Sequence, residues 1–188
     1  MRRNTSAFDD YQLEPNQLRN IENIDLETPL LGTTLDLPFF IAPTGMSRLF
    51  HHDKEIGVAH AAQKFGTLYS LSTVGTTSLE DIAEIPDLRR MFQIYILKDR
   101  ELTREFVQRC KAAQYQALCL TVDTPLAGNR ERDLVHGMTM PPRFGLKSLW
   151  SFATHLSWAV NVIRKPDFKL ANVQHRVDAL GEGVSLVE

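Results

Sequence analysis

Cysteine is scarce, two in 188 residues, too few for a disulfide framework. Cys110 and Cys119 lie inside apolar patterns and read as buried, inert thiols of a reduced intracellular protein. No charge of one sign dominates either. Lys+Arg 21 against Asp+Glu 23 leaves a net charge of -2. No basic surplus points to nucleic acid, and no acidic block points to a disordered tail. The opening MRRNTSAFDDY has no apolar core and is no signal peptide. No GxGxxG occurs, which removes the signature of a dinucleotide-binding open sheet. Among His51, His52, His60, His136, His155 and His175 no pair is spaced like a metal site, and His51 and His52 read as solvated loop residues.

What is present is ordinary globular composition, 43% hydrophobic, enough for one core. Four short apolar runs stand out: PFFIAP (38–43), TLYSLS (67–72), MFQIYIL (91–97) and ALCLTVD (117–123). Each has strand length and is nearly continuous, as in strands buried on both faces. Their starts lie about 25–30 residues apart, which fits repeated βα units. Between them, Asp53 is expected to cap a helix with Ile56, Ala59, Ala62 and Phe65 on one side and Gly66 just past its end. Thr77 or Ser78 caps a shorter helix containing Leu79, Ile82 and Ala83. Asp99 caps a third, with Leu102, Phe106, Cys110 and Ala113 at helical spacing. Ahead of the first strand, ENIDLETPLLGTTLDLPF alternates around Gly32 and predicts a β-hairpin, of the sort that plugs the bottom of a barrel.

Four βα units fit a doubly wound open sheet or a (β/α)8 barrel. Polar residues end every run: Thr44, Ser72, Gln93 with Tyr95, and Thr121 with Asp123. Side chains gathered at the carboxyl ends of parallel strands are what a barrel's active face requires. The expected fold class is therefore α/β, a (β/α)8 TIM barrel, here only about its first four units with a preceding hairpin. Thr44, Ser72, Gln93 and Thr121 are uncharged donors and acceptors. They suit a flat, heteroatom-edged ligand better than a metal or a bare phosphate. Asp123 offers a carboxylate that can orient a neighbouring histidine or lysine. Arg130, on the loop beyond, can reach back as a bidentate clamp for a carboxylate, with the Tyr95 phenol beside it. Singly, each has a plainer reading. Thr and Ser close turns, Asp123-Thr124-Pro125 is a turn signal, and Arg130 and Arg132 lie in a charged, solvated loop. The joint pattern, at matching places in four units, favours a site.

Together IAPTGM (41–46), LSTVGTTSLEDIA (71–83), FQIYILKDR (92–100) and LTVDTPLAGNRERD (120–133) closely resemble the FMN-dependent α-hydroxy acid dehydrogenases and oxidases. That family includes L-lactate and mandelate dehydrogenases and glycolate oxidase. The resemblance implies FMN as cofactor. The backbone at Pro43, Thr44 and Gly45 would lie against the flavin ring, and Ser72, Gln93 and Thr121 would hydrogen-bond its polar edge. Tyr95 and Arg130 would bind the hydroxyl and carboxylate of a small 2-hydroxy acid. Asp123 would hold the catalytic histidine in its working tautomer. Glycine at position 45, where many oxidases carry alanine, resembles the dehydrogenase members and points to a quinone or other carrier as electron acceptor. L-lactate is the first substrate expected, mandelate or glycolate next.

In that family the proton-abstracting histidine, a second substrate arginine, a lysine beside the flavin and a phosphate site all come late in the barrel. No residue here is matched to them, nor to the family's N-terminal helical segment. The expectation is a fragment, inactive alone: 1–36 an N-terminal segment and hairpin, 37–133 βα units 1–4, and 134–188 the variable insert after strand four. Within that insert, FGLKSLWSFATHLSWAVNVIRK (144–165) puts Leu146, Leu149, Trp150, Ala153, Leu156, Val160 and Ile163 on one helical stripe. It is too polar to span a bilayer. It suits the membrane interface with both tryptophans at headgroup level, or a lid over the barrel mouth. The resemblance implies an anchor, since membrane-associated members use this loop so. A cytoplasmic location is expected, with peripheral contact on the cytoplasmic face of the inner membrane, and the complete enzyme is expected to form homo-oligomers. The rivals are a barrel enzyme without flavin and a non-catalytic half-barrel acting as an association module or remnant.

Overall fold

The computed structural model describes residues 2–123, 131, 135, 150, 152–164 and 168–176. A short helix α1 (Arg2–Ser6) and a 3-10 turn (Ala7–Asp10) open the chain without burying any residue. The predicted hairpin follows. β1 (Thr28–Leu30) pairs antiparallel with β2 (Thr33–Leu35). Leu31 at φ 50 and Gly32 at φ 78 form its two-residue loop. Left-handed backbone at both loop residues is the type I′ pattern, whose twist matches that of the flanking strands.

Four parallel strands make the main sheet. They are β3 (Ile41–Thr44), β4 (Leu68–Ser72), β5 (Arg89–Tyr95) and β6 (Ala117–Thr121), neighbours in sequence order. Between them run α2 (Lys54–Lys64), α3 (Leu79–Ala83) and α4 (Arg100–Ala112). Alternation along each strand separates the two faces of the sheet. Tyr69, Leu71, Phe92 and Ile94 meet Ala59 and Ala62 of α2, Leu79 and Ile82 of α3, and Leu102, Phe106 and Cys110 of α4. On the other face Leu68 and Met91 enclose Leu35 of the hairpin, with Leu30, Ala117 and Cys119 at the margin. The hairpin is thus seated toward the amino ends of the strands. Cys110 is buried and its thiol is pushed up to about 12 by that burial, so it is inert at neutral pH.

The caps divide. Asp99 Oδ1 accepts from the amides of Glu101 and Leu102, and Ser78 Oγ accepts from Asp81. Asp53 does not cap α2. Its backbone is already helical, at φ -74 and ψ -5, and its carboxylate turns to His51 and His52 instead. A capping residue needs extended backbone to bring its oxygen back to the first turn. At the other end Gly66, at φ 58, closes α2 by a Schellman motif, with Thr67 N donating to Ala62 O and Gly66 N to Gln63 O. Phe65 is not on the buried side as expected but is 59% exposed just past the helix end.

Two expectations about burial also fail. β3 starts three residues late, because Phe39 N donates to Leu37 O and turns the chain there. β6 is not covered on both faces: Leu118 is 43% and Leu120 is 54% exposed, since no helix among the described residues lies over them. Residues 168–176 return to the helices packed on the sheet. Val173 joins the core, and Asn172 is fully buried between α3 and α4. Asn172 Oδ1 accepts from Leu79 N at 2.9 Å, its Nδ2 donates to Thr77 O at 3.2 Å, and Arg109 donates to its carbonyl at 3.2 Å.

α5 (Leu156–Arg164) docks on the β3–α2 loop. Trp158 Nε1 donates to Leu49 O at 2.8 Å and its ring stacks on Phe152, while Arg48 donates to Asn161 O at 3.0 Å. The two tryptophans therefore differ: Trp158 is committed to the protein, and Trp150 is 74% exposed. Among the described residues no helix is long and apolar enough to cross a membrane.

Candidate active site

The sheet register brings the strand-end residues to one rim. Ser72 pairs with Gln93, and Tyr95 with Thr121, at the carboxyl ends of β4, β5 and β6. Gln93 is the hub. Its Oε1 accepts from Ser72 Oγ at 3.1 Å and from Thr73 N at 3.3 Å, and its Nε2 donates to Thr121 Oγ1 at 2.6 Å. Ser72 Oγ in turn accepts from Val74 N. Ser72 and Gln93 are buried and Thr121 is half-buried. A buried amide with both ends engaged cannot flip, so the three side chains form one fixed chain.

Thr44 stands at the same rim but outside that chain. A register irregularity between Ile41 and Thr44 pairs Thr44 with Leu71, a residue that points to the helices. Its side chain lines a separate hollow of 210 Å³ with Ser47, His51 and Tyr69. What Pro43, Thr44 and Gly45 offer the rim is backbone. Gly45 packs closely: a Cβ there would stand 2.5 Å from Val74 Cγ2 and 3.4 Å from Val74 O. Asp123 is exposed just past the end of β6. Arg130 lies outside the described residues.

Sequence reasoning missed two residues that hold this rim. Thr73 is buried, donates to Gln93 O at 2.6 Å and accepts from Tyr95 N at 3.3 Å, so it sets both neighbours. Nothing in the sequence separates it from a loop threonine. Glu55 is fully buried in α2. Its Oε1 accepts from Ser47 N at 3.2 Å and Thr76 N at 2.8 Å, and its Oε2 from the hydroxyls of Thr76 at 2.8 Å and Thr77 at 2.9 Å. Burial pushes its carboxyl up, but these bonds outweigh it and leave the group below the usual carboxylate range. The signal was there: Glu55 shares a helical face with Ala59 and Ala62, where a charge needs buried partners. Glu55 thereby ties the loop after β3 to the loop after β4.

The donor set fits a flavin ring edge. Gln93 Nε2 has a second N–H and Thr121 a hydroxyl proton, beyond the bonds they make to each other, and no charged group lies among the three. Neutral donors in a buried row suit a conjugated ring edged with carbonyl oxygens and nitrogens, and suit a metal ion or bare phosphate poorly.

Comparison with known proteins agrees. A family model described as FMN-dependent dehydrogenase matches residues 1–183. An L-lactate oxidase from Nostoc sp. is 44% identical over 154 residues, 79% of this chain and 42% of that protein. A putative L-lactate dehydrogenase from Mycobacterium tuberculosis is 34% identical over 182 residues, 96% of this chain and 44% of that one. Among solved structures, that of the monotopic membrane protein (S)-mandelate dehydrogenase superposes with a TM-score of 0.84 at 29% identity, over 89% of this chain and 44% of that one. The chain thus spans about two-fifths of the length of the curated relatives it matches. The motifs, the parallel βα units with their strand-end polar row, and the match over nearly the whole sequence give one conclusion: the chain belongs to the FMN-dependent dehydrogenase family.

Proposed function

We propose that this chain is the part of an FMN-dependent enzyme, built on a (β/α)8 barrel, that holds the flavin edge and one side of a small L-2-hydroxy acid, L-lactate first. The observation that carries the reading is the fixed Ser72–Gln93–Thr121 row with Tyr95 beside it on one rim. When bound, FMN supplies the two-electron acceptor for converting the hydroxy acid to the 2-oxo acid. Ser72, Gln93, Thr121 and the backbone of Pro43, Thr44 and Gly45 position it. The Tyr95 hydroxyl meets the substrate hydroxyl, and Arg130 clamps its carboxylate. Asp123 orients the histidine base, which matches no residue of this chain. A quinone or other carrier takes up the electrons. The named relatives, a lactate oxidase, a lactate dehydrogenase and a mandelate dehydrogenase, support a 2-hydroxy acid as substrate class.

Titrating the purified chain with FMN, followed by flavin fluorescence, tests the reading. Weak saturable binding is expected, lost in Gln93→Leu, with no turnover of L-lactate or mandelate. Equal binding by both proteins would refute the site; substantial turnover would refute the missing base.

Exposed Trp150, and exposed Leu156 and Val160 one turn apart on α5, together with the monotopic relative, support peripheral membrane contact through 144–165. In a liposome-flotation assay Trp150→Ser should float less than the unaltered chain. Equal flotation removes the proposal. Exposed Leu118 and Leu120 favour a second reading, association with another chain, which size-exclusion chromatography reads directly.

A further inference from the structure

Away from the strand-end row, the β3–α2 loop brings three metal-ligating side chains together. His51 Nδ1 stands 3.5 Å from Asp53 Oδ2, and His52 Nε2 stands 3.3 Å from Asp53 Oδ1. The two imidazole rings lie 4.2 Å apart, tilted by 32°. One donor atom from each residue lies within 4.8 Å of the others. Around a tetrahedral ion with ligand bonds of about 2.0–2.1 Å, neighbouring donors are about 3.3–3.4 Å apart. The two N···O separations run to different oxygens of Asp53, so the carboxylate turns to bring one oxygen to both imidazoles, across donor separations that are within 4.8 Å throughout.

We propose that His51, His52 and Asp53 form a site for a zinc-like divalent cation, with three protein ligands and a fourth position open to solvent. Two imidazole nitrogens with one carboxylate oxygen suit zinc, nickel or copper above magnesium or calcium. Asp53 precedes α2 yet makes no capping hydrogen bond; its carboxylate is committed to the two imidazoles. Beside it opens a cleft of 780 Å³ lined by Arg48, His52, Asp53, Lys54, Ile56 and His60, which leaves room for a water or an anion at the fourth position.

Opposing terms limit the affinity. Arg48 and Lys54 bring positive charge to the cleft, which disfavours a bare cation and favours an anionic fourth ligand. The ion displaces the 3.3 Å contact that Asp53 N makes to His51 Nδ1. It also moves the His52 ring proton to Nδ1, a buried nitrogen with no partner among the described residues. Micromolar rather than nanomolar binding follows. The ion would pin the loop that starts at the end of β3, and it depends on no assignment at the flavin rim.

The test is zinc titration of the metal-stripped chain, by calorimetry and by competition with a chromophoric chelator. One zinc per chain is expected. Binding should weaken at least tenfold in His52→Ala and in Asp53→Asn, both at solvent-accessible positions, with circular dichroism unchanged. Zinc should raise the melting temperature of the unaltered chain and not of the variants. Absence of saturable binding overturns the site. So does Asp53→Asn binding as tightly as the unaltered chain, which would reduce it to a pair of surface imidazoles. A loss in His60→Ala as large as that in His52→Ala overturns the three-residue assignment.

Discussion

Replacing Glu55 by glutamine should destabilise the chain far more than one lost charge suggests. The carboxylate takes four hydrogen bonds while fully buried. Bonds to a charged acceptor contribute about 1.5–3 kcal/mol each, against about 0.5–1.5 for neutral ones. Glutamine keeps an oxygen for the amides of Ser47 and Thr76. Its NH2 then faces the hydroxyls of Thr76 and Thr77, whose protons lose their acceptor. Thr76 Oγ1 also already accepts from Arg48 N, so it has little freedom to turn. The net cost should be about 3 kcal/mol by these values, and about 5 kcal/mol for Glu55→Ala, which strands the buried amide of Thr76 and the half-buried one of Ser47. Urea unfolding at pH 7, followed by circular dichroism, measures both. The pH dependence has a definite sign. The folded carboxyl lies below its usual range, so its stabilisation is complete above the unfolded value, about pH 4.3, and fades as pH falls through the lower folded value. The gap between the unaltered chain and Glu55→Gln should therefore close in acid. A glutamine variant within about 0.5 kcal/mol of the original at pH 7 would refute this account of the clasp.

Other outcomes follow from the same geometry. Asn172→Ala should cost about 2–3 kcal/mol, because it leaves Leu79 N and Thr77 O buried without partners; urea unfolding again reads it. Gly45→Ala should cost about 1–3 kcal/mol through the clash with Val74 Cγ2, and adding Val74→Ala should recover part of that in a double-mutant cycle. Thr73→Val should free Gln93 and Tyr95 and weaken FMN binding while Thr73→Ser retains it, as flavin fluorescence would report.

Much of the frame was legible because periodicity reports burial. The four apolar runs became β3 to β6 within a few residues, and Gly32 and Gly66 marked a hairpin and a helix end through their left-handed backbone. The strand-end row was legible because a polar residue closing an apolar run needs a reason. What was lost is what register and long-range pairing decide. The irregularity in β3 turned the Thr44 side chain away from its neighbours, and Asp53 gave up its cap for two imidazoles. Trp158 read, with Trp150, as a tryptophan at headgroup level until the carbonyl of Leu49 claimed its indole. Asn172 lay in what read as insert, yet it holds the wall of the sheet.

That return has a consequence for how the polypeptide assembles. The first turn of α3 receives its buried acceptor from a side chain 93 positions downstream. On the ribosome, the β4–α3–β5 segment must wait for that asparagine before its polar groups are settled, so its completion belongs to a late, non-local step. Closing the intervening excursion costs only about 0.6 kcal/mol more for each doubling of its length. Length between the end of β6 and that asparagine is therefore cheap to change, and what constrains the stretch is the hold of Trp158 and Asn161 on the β3–α2 loop.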